Sequence, residues 1–592
     1  MDTRARWMKR FALILGLAAL APLVGAAPKS QDNSLGVVVV RFKAQASADQ
    51  MRGAIAQAGG EVVTDLSKLG RMSAKASDDG FTARIKSNPL VAGAFTDKVF
   101  GHPGADVSGN DAGVTGGNDP QLGNPGPNGP PDPWHNLASF LGETNPEGIL
   151  QWDDNRMNVP AAWAVTTGNR SVRVAVIDSG VQGSHKELLA NYDNQASTNT
   201  IPCNLLTRQF GPLGKKDCSS EDTEGHGTWV ASRIAGAANG FASNGVAPNV
   251  QIVGYKALST TLGGGLTSWI TDAMVQACDA NVDLINMSLG GYDVAGADDE
   301  DYLLWVDAVN YCRAKGTAIF ASAGNEHVRV HKVNMLIGGR SLVGVGRVDA
   351  GLEGIQSIIP GDTLANNDLR GLLLTPGGVP GVIMVSATGN AIGGSASSNA
   401  INANAKALVW PDSQFGLRDQ LTYYSNYGSR VDIAAPGGAR KFNIPRYDVG
   451  DADILYGGWG SLGALDPSGE ICTDPASASL LTFACFKVQG SGFGWLQGTS
   501  MSSPNATGVA ALTLAAHPNL QGNPDSLLAR LKATARTSMV NAMGPNDPVN
   551  SAPSAAGVPC TTGWCHVDRN NPIAFSDAYG AGMVNAGAAV AP

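Results

Sequence analysis

The chain has 592 residues, of which 43% are apolar and 15% charged, and a net charge of −9. That balance is the one a folded globular protein carries, and the negative charge argues against a nucleic-acid-binding surface. Glycine is high, 75 residues or about 13% against a usual ~7%, which favours tight turns and close backbone approaches.

At the start, Arg4, Arg6, Lys9 and Arg10 precede an apolar run over residues 11–24, and Val24-Gly25-Ala26-Ala27 supplies small residues for a signal peptidase. Residues 1–27 therefore read as an export signal. A membrane anchor is the alternative, but the run falls short of the ~20 residues of a comfortable span. No later stretch is long and apolar enough to cross a bilayer. Export suits the eight cysteines, an even number without C-x-x-C spacing, as disulfides rather than a zinc or redox site. Spacing alone fixes no connectivity; neighbours in sequence could pair, as Cys203–Cys218, Cys472–Cys485 and Cys560–Cys565, and Cys278–Cys312 would then tie two predicted helices.

Residues 36–42 read as a strand and 47–58 as a helix, with Ser47 and Gln50 as a capping box, Met51 and Ile55 on one face, and Gly59-Gly60 as the stop. Extended chain over 61–75, a helix over 82–87 and extended chain over 90–100 complete a small α/β unit at 34–100. Residues 101–148 are rich in Gly, Pro, Asn and Asp, so they read as a linker open to proteolysis and mark a domain boundary.

From 149 to 592 short apolar strands alternate with helices. Strands are expected at 172–177, 252–255, 284–287, 318–321, 382–385 and 431–434, with helices at 267–280 and 301–315. This order predicts an α/β domain, a parallel sheet with helices on both faces. Ligands in such sheets sit beyond the carboxyl ends of strands, which singles out Asp178, Ser288-Leu289-Gly290 and Asn325. Two Gly-rich intervals, 326–381 and 437–490, read as surface elaborations near the site.

Four short motifs could carry chemistry. Gly498-Thr499-Ser500-Met501-Ser502-Ser503-Pro504 leads into an apolar helical run, with Pro504 suited to the first helical turn. Ser500 there is either an N-cap or a nucleophile. Asp178-Ser179-Gly180 ends a strand, as a turn cap or a working carboxylate. In Gly225-His226-Gly227-Thr228 the glycines allow close approach to an imidazole, structural or basic. Ser322-Ala323-Gly324-Asn325 offers small residues and then an amide, a turn residue or an oxyanion donor.

Taken in order, Asp178, His226 and Ser500 follow the Asp…His…Ser order of subtilisin. The chain resembles the subtilisin-like serine peptidases over about residues 150–592. The resemblance extends to Asn286-Met287-Ser288-Leu289-Gly290-Gly291, Tyr424-Ser425-Asn426-Tyr427-Gly428, Ala434-Ala435-Pro436-Gly437 and Tyr579-Gly580-Ala581-Gly582-Met583-Val584-Asn585-Ala586. It implies Ser500 as nucleophile, His226 as base, Asp178 as its orienting carboxylate and Asn325 as oxyanion donor. It implies that Gly263-Gly264-Gly265 and Ser288-Leu289-Gly290 pair with an extended protein or peptide substrate, and that Ser322-Ala323-Gly324 line the pocket for the residue before the cut. The 34–100 unit resembles the family's ferredoxin-like propeptide, an intramolecular chaperone and inhibitor cut away on maturation.

The family's chemistry needs no cofactor, but its members often carry structural calcium. Residues 239–248 resemble a calcium loop, and Glu187 stands where a ligand aspartate is often found, with no ligand set assigned. The resemblance thus predicts a secreted (extracellular or periplasmic) endopeptidase. A catalytically silent peptide-binding module and a selective processing peptidase are the alternatives. Trp229, Ser232, Gln497 and Asn505 depart from the residues usual at their positions.

Overall fold

Alternation along single strands divides the interior into two cores. In β7 (Arg173–Asp178), Val174 and Val176 join one apolar cluster and Ala175 and Ile177 another. The same split recurs in β10 (Leu284–Met287), where Leu284 faces one way and Ile285 and Met287 the other. A strand buried on both faces needs apolar residues on both, hence the continuous runs in the sequence. This computed structural model describes residues 31–32, 35–100, 102–103, 151–355, 368–390, 418–422, 424–439, 460–466, 468–473, 485–488, 490–538 and 573–592. The expected signal peptide, most of the 101–148 linker and Cys560–Cys565 lie outside those residues.

The N-terminal unit runs β1 (Val37–Phe42), α1 (Ala48–Gln57), β2 (Glu61–Leu66), β3 (Arg71–Lys75), α2 (Phe81–Lys86), β4 (Val91–Thr96). Its antiparallel sheet has the order β2-β3-β1-β4, the split β-α-β arrangement. The capping box forms: Ser47 Oγ accepts from the Gln50 N–H at 3.3 Å, and Gln50 Oε1 accepts from the Ser47 N–H at 2.9 Å. The valine run of β1 has two jobs. Val38, Val40 and Phe42 pack on the unit's own helices, while Val37 and Val39 face apolar residues of the larger domain. The tail continues as β5 (Lys98–Phe100) and β6 (His102–Pro103).

The larger domain is built on an eight-stranded sheet. Its order is β17 (Arg418–Leu421), β16 (Ile383–Asn390), β12 (Ala318–Ser322), β10, β7, β8 (Gln251–Lys256) and the short Thr198–Asn199 strand, with β18 (Ile433–Pro436) also on β16. All pairs are parallel except β16 with β17. Helices α3 (His226–Ala235) and α6 (Thr499–Ala516) cover one face; α4 (Thr267–Asp279) and α5 (Asp299–Ala314) cover the other. Cys278–Cys312 ties α4 to α5, and Cys203–Cys218 joins the start of a helix (Cys203–Phe210) to the end of the 3-10 turn that follows it (Gly211–Asp217), the pairings the sequence allowed. Cys472 is also disulfide-bonded, and its expected pairing with Cys485 lies outside what is described.

The two intervals read as surface elaborations contain strands. Between 326 and 381, β13 (Val330–Ile337) and β14 (Arg340–Val348) form a hairpin that connects through β15 (Leu373–Thr375) to β11 (Leu289–Asp293). In the second, β19 (Ser461–Ala464), β20 (Cys485–Val488) and β21 (Ser491–Leu496) make a three-stranded sheet. Residues 461–464 are wholly buried, so this part is an inner wall and not a surface addition.

Candidate active site

Asp178 and His226 meet because one ends a central strand and the other begins α3. Asp178 Oδ1 lies 2.8 Å from His226 Nδ1, and both side chains are wholly buried. The approach depends on Gly227: a Cβ there would sit 2.0 Å from the Gly180 carbonyl oxygen. Asp222 holds the loop before the helix, accepting the N–H groups of Glu224, Gly225 and Thr228 and the hydroxyls of Ser179 and Thr228. In the neutral imidazole the Asp178 contact fixes the tautomer, with the proton on Nδ1 and Nε2 as the acceptor end. Nε2 is buried without a hydrogen-bond partner.

Burial acts to lower the His226 pKa, but the Asp178 carboxylate, aided by Glu224 and Asp222, outweighs it and pushes the imidazole up to about 9. Glu224 Oε2 in turn accepts the His226 N–H at 2.6 Å, and burial raises that carboxyl to about 7.

Ser500 is placed differently from the sequence expectation. The N-cap of α6 is Gly498, with φ 148°, so Ser500 is the second helical residue and not the cap. Pro504 is correspondingly inside the helix, not in its first turn. A proline there cannot donate to the carbonyl four residues back, which is that of Ser500. Ser288 Oγ supplies the missing donor at 2.8 Å, while Ser500 Oγ donates to the Ser288 carbonyl at 3.3 Å. In the first turn of α6, the Ser500 N–H has no intrahelical acceptor and is open to an anion.

Thr499 aligns the amide of Asn325. Asn325 Oδ1 accepts both the Thr499 N–H and its hydroxyl at 2.8 Å, which makes Nδ2 the donor end. Thr499 Oγ1 also accepts the Gly324 N–H at 3.1 Å. Tyr424 Oη accepts the Gly498 N–H at 2.9 Å and donates to the Gly438 carbonyl at 2.6 Å, giving the Tyr-Ser-Asn-Tyr-Gly motif its place.

The segments named for substrate binding form the walls of one cleft, and the tail of the N-terminal unit lies in it. Gly263 and Gly264 close a turn back onto Ser259, and Gly265 begins β9 (Gly265–Leu266). β5 pairs antiparallel with β9, Phe100 opposite Gly265 and Val99 opposite Leu266. β6 pairs antiparallel with β11, His102 opposite Gly290 and Pro103 opposite Leu289. Ser322 Oγ donates to the Leu289 carbonyl at 3.2 Å, and the Ala323 carbonyl accepts Asn426 Nδ2 at 2.8 Å, so Ser322-Ala323-Gly324 stands beside β11.

Sequence reasoning missed several supports. Asn286 donates through Nδ2 to Ser288 Oγ at 3.0 Å and accepts at Oδ1 from Ser503 and Thr507 at 2.7 and 3.0 Å, tying β10 to α6. Its position just before Ser288 in the quoted motif was the available signal. The departures also find partners. Asn505 Oδ1 accepts Arg233 Nη2 at 2.9 Å and its Nδ2 donates to the Pro436 carbonyl at 2.9 Å, so α3 and α6 are joined. Trp229 Nε1 donates to the Gly494 carbonyl at 3.0 Å, and Ser232 Oγ accepts the Ala464 N–H at 2.8 Å. Gln497 is buried just before the cap of α6.

For calcium, Glu187 Oε1 accepts the N–H groups of Ala242 and Ser243 at 3.0 and 2.8 Å, which ties it to the 239–248 loop. Its Oε2 is buried without a hydrogen bond, an oxygen that a hard cation would satisfy. Among the described residues no three His, Cys, Asp or Glu side chains gather as a metal-binding group.

Comparison with known proteins places this geometry. The chain is 30% identical over 202 residues to the epidermin leader peptide-processing serine protease EpiP of Staphylococcus epidermidis, covering 32% of this chain and 42% of that protein. It is 32% identical over 190 residues to subtilisin E of Bacillus subtilis, again 32% of this chain and 42% of the other. The match thus spans less than half the length of either relative. The crystal structure of EpiP from Staphylococcus aureus shares the fold, with a TM-score of 0.57 at 17% identity over 94% of this chain and 97% of that one. The profile of the Subtilase family (Peptidase_S8) matches residues 169–582, and the chain belongs to that family.

Proposed function

We propose that the protein is a secreted serine endopeptidase, made as a precursor and matured by its own action. The observation that carries this reading is the buried Asp178–His226 hydrogen bond, which leaves Nε2 free to accept a proton, with Ser500 held in the first turn of α6. His226 Nε2 takes the Ser500 Oγ proton as Oγ attacks the peptide carbonyl carbon. The carbonyl π electrons move to oxygen, which sits between the Ser500 N–H and Asn325 Nδ2. Asp178 stabilises the imidazolium. The C–N bond then breaks, His226 gives its proton to the leaving amine, and an acyl-enzyme remains. Water, deprotonated by His226, releases the acid product and restores Ser500.

The tail over 98–103 supports the precursor reading: it adds a strand to both cleft walls, the way an extended peptide binds. On this reading the 34–100 unit inhibits until the 101–148 stretch is cut. The apolar 11–24 run supports export. A selective processing peptidase is the second reading, favoured by the relative whose name specifies leader-peptide processing. Structural calcium at Glu187 Oε2 is part of the proposal but supports no catalytic step.

Expression of the wild type and of Ser500→Ala tests the reading. The wild type is expected to mature and to hydrolyse unfolded protein; the variant is expected to lose about 10⁴–10⁶ of the rate and to remain a precursor. Equal maturation of isolated Ser500→Ala would end the self-processing claim. A matured wild type that cleaves nothing and ignores a serine-directed phosphonate would favour the silent peptide-binding module.

A further inference from the structure

One ammonium of the N-terminal unit, that of Lys98, is paired with a carboxylate of the larger domain, Asp298, and acts electrostatically on two more, Asp293 and Asp301. Lys98 forms an ion pair with Asp298 in which the two side chains keep only 14% and 9% of their exposure. Asp293 and Asp301 are 0% and 1% exposed, and the Lys98 charge acts on both. Thr267 Oγ1 donates to Asp301 Oδ2 at 3.1 Å. Asp301 Oδ1 and both oxygens of Asp293 are buried without any hydrogen bond.

A structural explanation covers only part of this cluster. Acidic residues at the start of α5 suit the helix dipole, which accounts for Asp298 and Asp301. Asp293 ends a strand and has no donor, so nothing local offsets the cost of burying it. Among the described residues the cation that acts on it is Lys98, which arrives from a separate unit by strand pairing. Lys98 lies one residue before the Val99–Leu266 pair and four residues before His102, which is opposite Gly290.

We propose that Asp293, Asp298 and Asp301 form an acidic subsite of the cleft that takes a Lys or Arg side chain of an extended polypeptide, four residues before the one opposite Gly290. In the precursor the protein's own Lys98 fills it. Once the N-terminal unit leaves, the subsite selects substrates with a basic residue at that place. The word substrate rests on the endopeptidase reading; the binding of a basic side chain does not.

The test uses the protein freed of its N-terminal unit by its own action or, failing that, by an added protease that cuts within 101–148. Binding of labelled peptides with the sequence of residues 94–103 is read by fluorescence anisotropy. Replacing the peptide's lysine (Lys98→Ala) should weaken binding at least tenfold, Lys98→Glu further, and Lys98→Arg by less than threefold. Asp298→Asn in the protein should remove most of that discrimination, and Asp298→Lys should make the Lys98→Glu peptide the better ligand. Peptides that all bind within a factor of two would overturn the subsite. Hydrolysis of unfolded protein is measured in parallel: discrimination without hydrolysis sinks the endopeptidase reading alone, and hydrolysis without discrimination sinks the subsite alone.

Discussion

The two flanks of the cleft are held by different physics. On one side the N-terminal unit meets α5 and its cap through Arg41–Glu300, Arg71–Asp307 and Lys98–Asp298, β9 and β11 through two short strand pairings, and the domain's apolar residues through Val39 and Leu66 on Leu304 and Val37 on Leu205, Leu206 and Trp269. On the other side the β19–β21 sheet meets α3 through Trp229. That indole is wholly buried, and its Cε2 and Nε1 lie 2.6 Å from where a Cβ on Gly463 would be. Arg41–Glu300 is partly exposed, so it contributes little and weakens with salt, whereas Arg71–Asp307 and Lys98–Asp298 are largely buried but consist of charges that water takes up again on release. A buried indole cannot be withdrawn without opening a cavity. The first flank is therefore suited to leave, and the second is part of the wall.

Four measurements break or sharpen that contrast. The largest effect is expected from Trp229→Ala, a loss of ~3–5 kcal/mol of folding stability by denaturant titration. A loss below ~1 kcal/mol would mean that the inner sheet is only an accessory. Next, Asn505→Ala should cost ~1–3 kcal/mol, because Arg233 loses its hydrogen-bonded acceptor on α6. Arg233 keeps its ion pairs to Asp153 and Asp154, which limits the loss.

The third concerns the departing flank. Burial raises the Asp97 carboxyl from 3.8 to about 7, although the Ser268 N–H donates to it. A tail released into water regains the ordinary value, so the docked form holds the proton more tightly. Docking is then strongest below pH ~4 and loosens as pH rises through about 7. Lys98, Asp293, Asp298 and Asp301 share this environment. The cleaved unit should bind on the order of a hundredfold more weakly at pH 8 than at pH 5, and Asp97→Asn should flatten most of that slope. The smallest effect is expected from Glu224→Gln. Removing this carboxylate lowers the His226 pKa, and His226 must be neutral to accept a proton. The acid limb of kcat/KM against pH should move down by less than about one unit, and an upward move would contradict the arrangement.

The sheet and the Asp178, His226 and Ser500 motifs were legible because they rest on short-range pattern: apolar runs ending at a polar residue, and glycines beside a functional one. The inner wall was not, because its cause lies far along the chain. Trp229 is explained by Gly463 and Gly494, and Asn505 by Arg233, more than 200 residues away in each case. The β13–β14 hairpin did leave a signal, Gly338-Gly339 between two apolar stretches, both with positive φ. It was blurred because Leu336 and Val343 are each 69% exposed, so the alternation of apolar and polar residues fails on the solvent face. The placement of Ser500 was misread because proline was taken as a marker of a helix start, whereas here the hydroxyl of Ser288 compensates for it inside the helix.

That compensation has a mechanical meaning. Because Pro504 has no proton to give, the Ser500 carbonyl is fastened to the residue just before β11, and the Ser288 carbonyl receives the Ser500 hydroxyl in return. The residue that leads into β11 and Ser500 are therefore fastened to each other by two hydrogen bonds. On the proposed mechanism, a polypeptide paired with β11 and the serine that would attack it share one anchor, so a displacement of either is passed to the other.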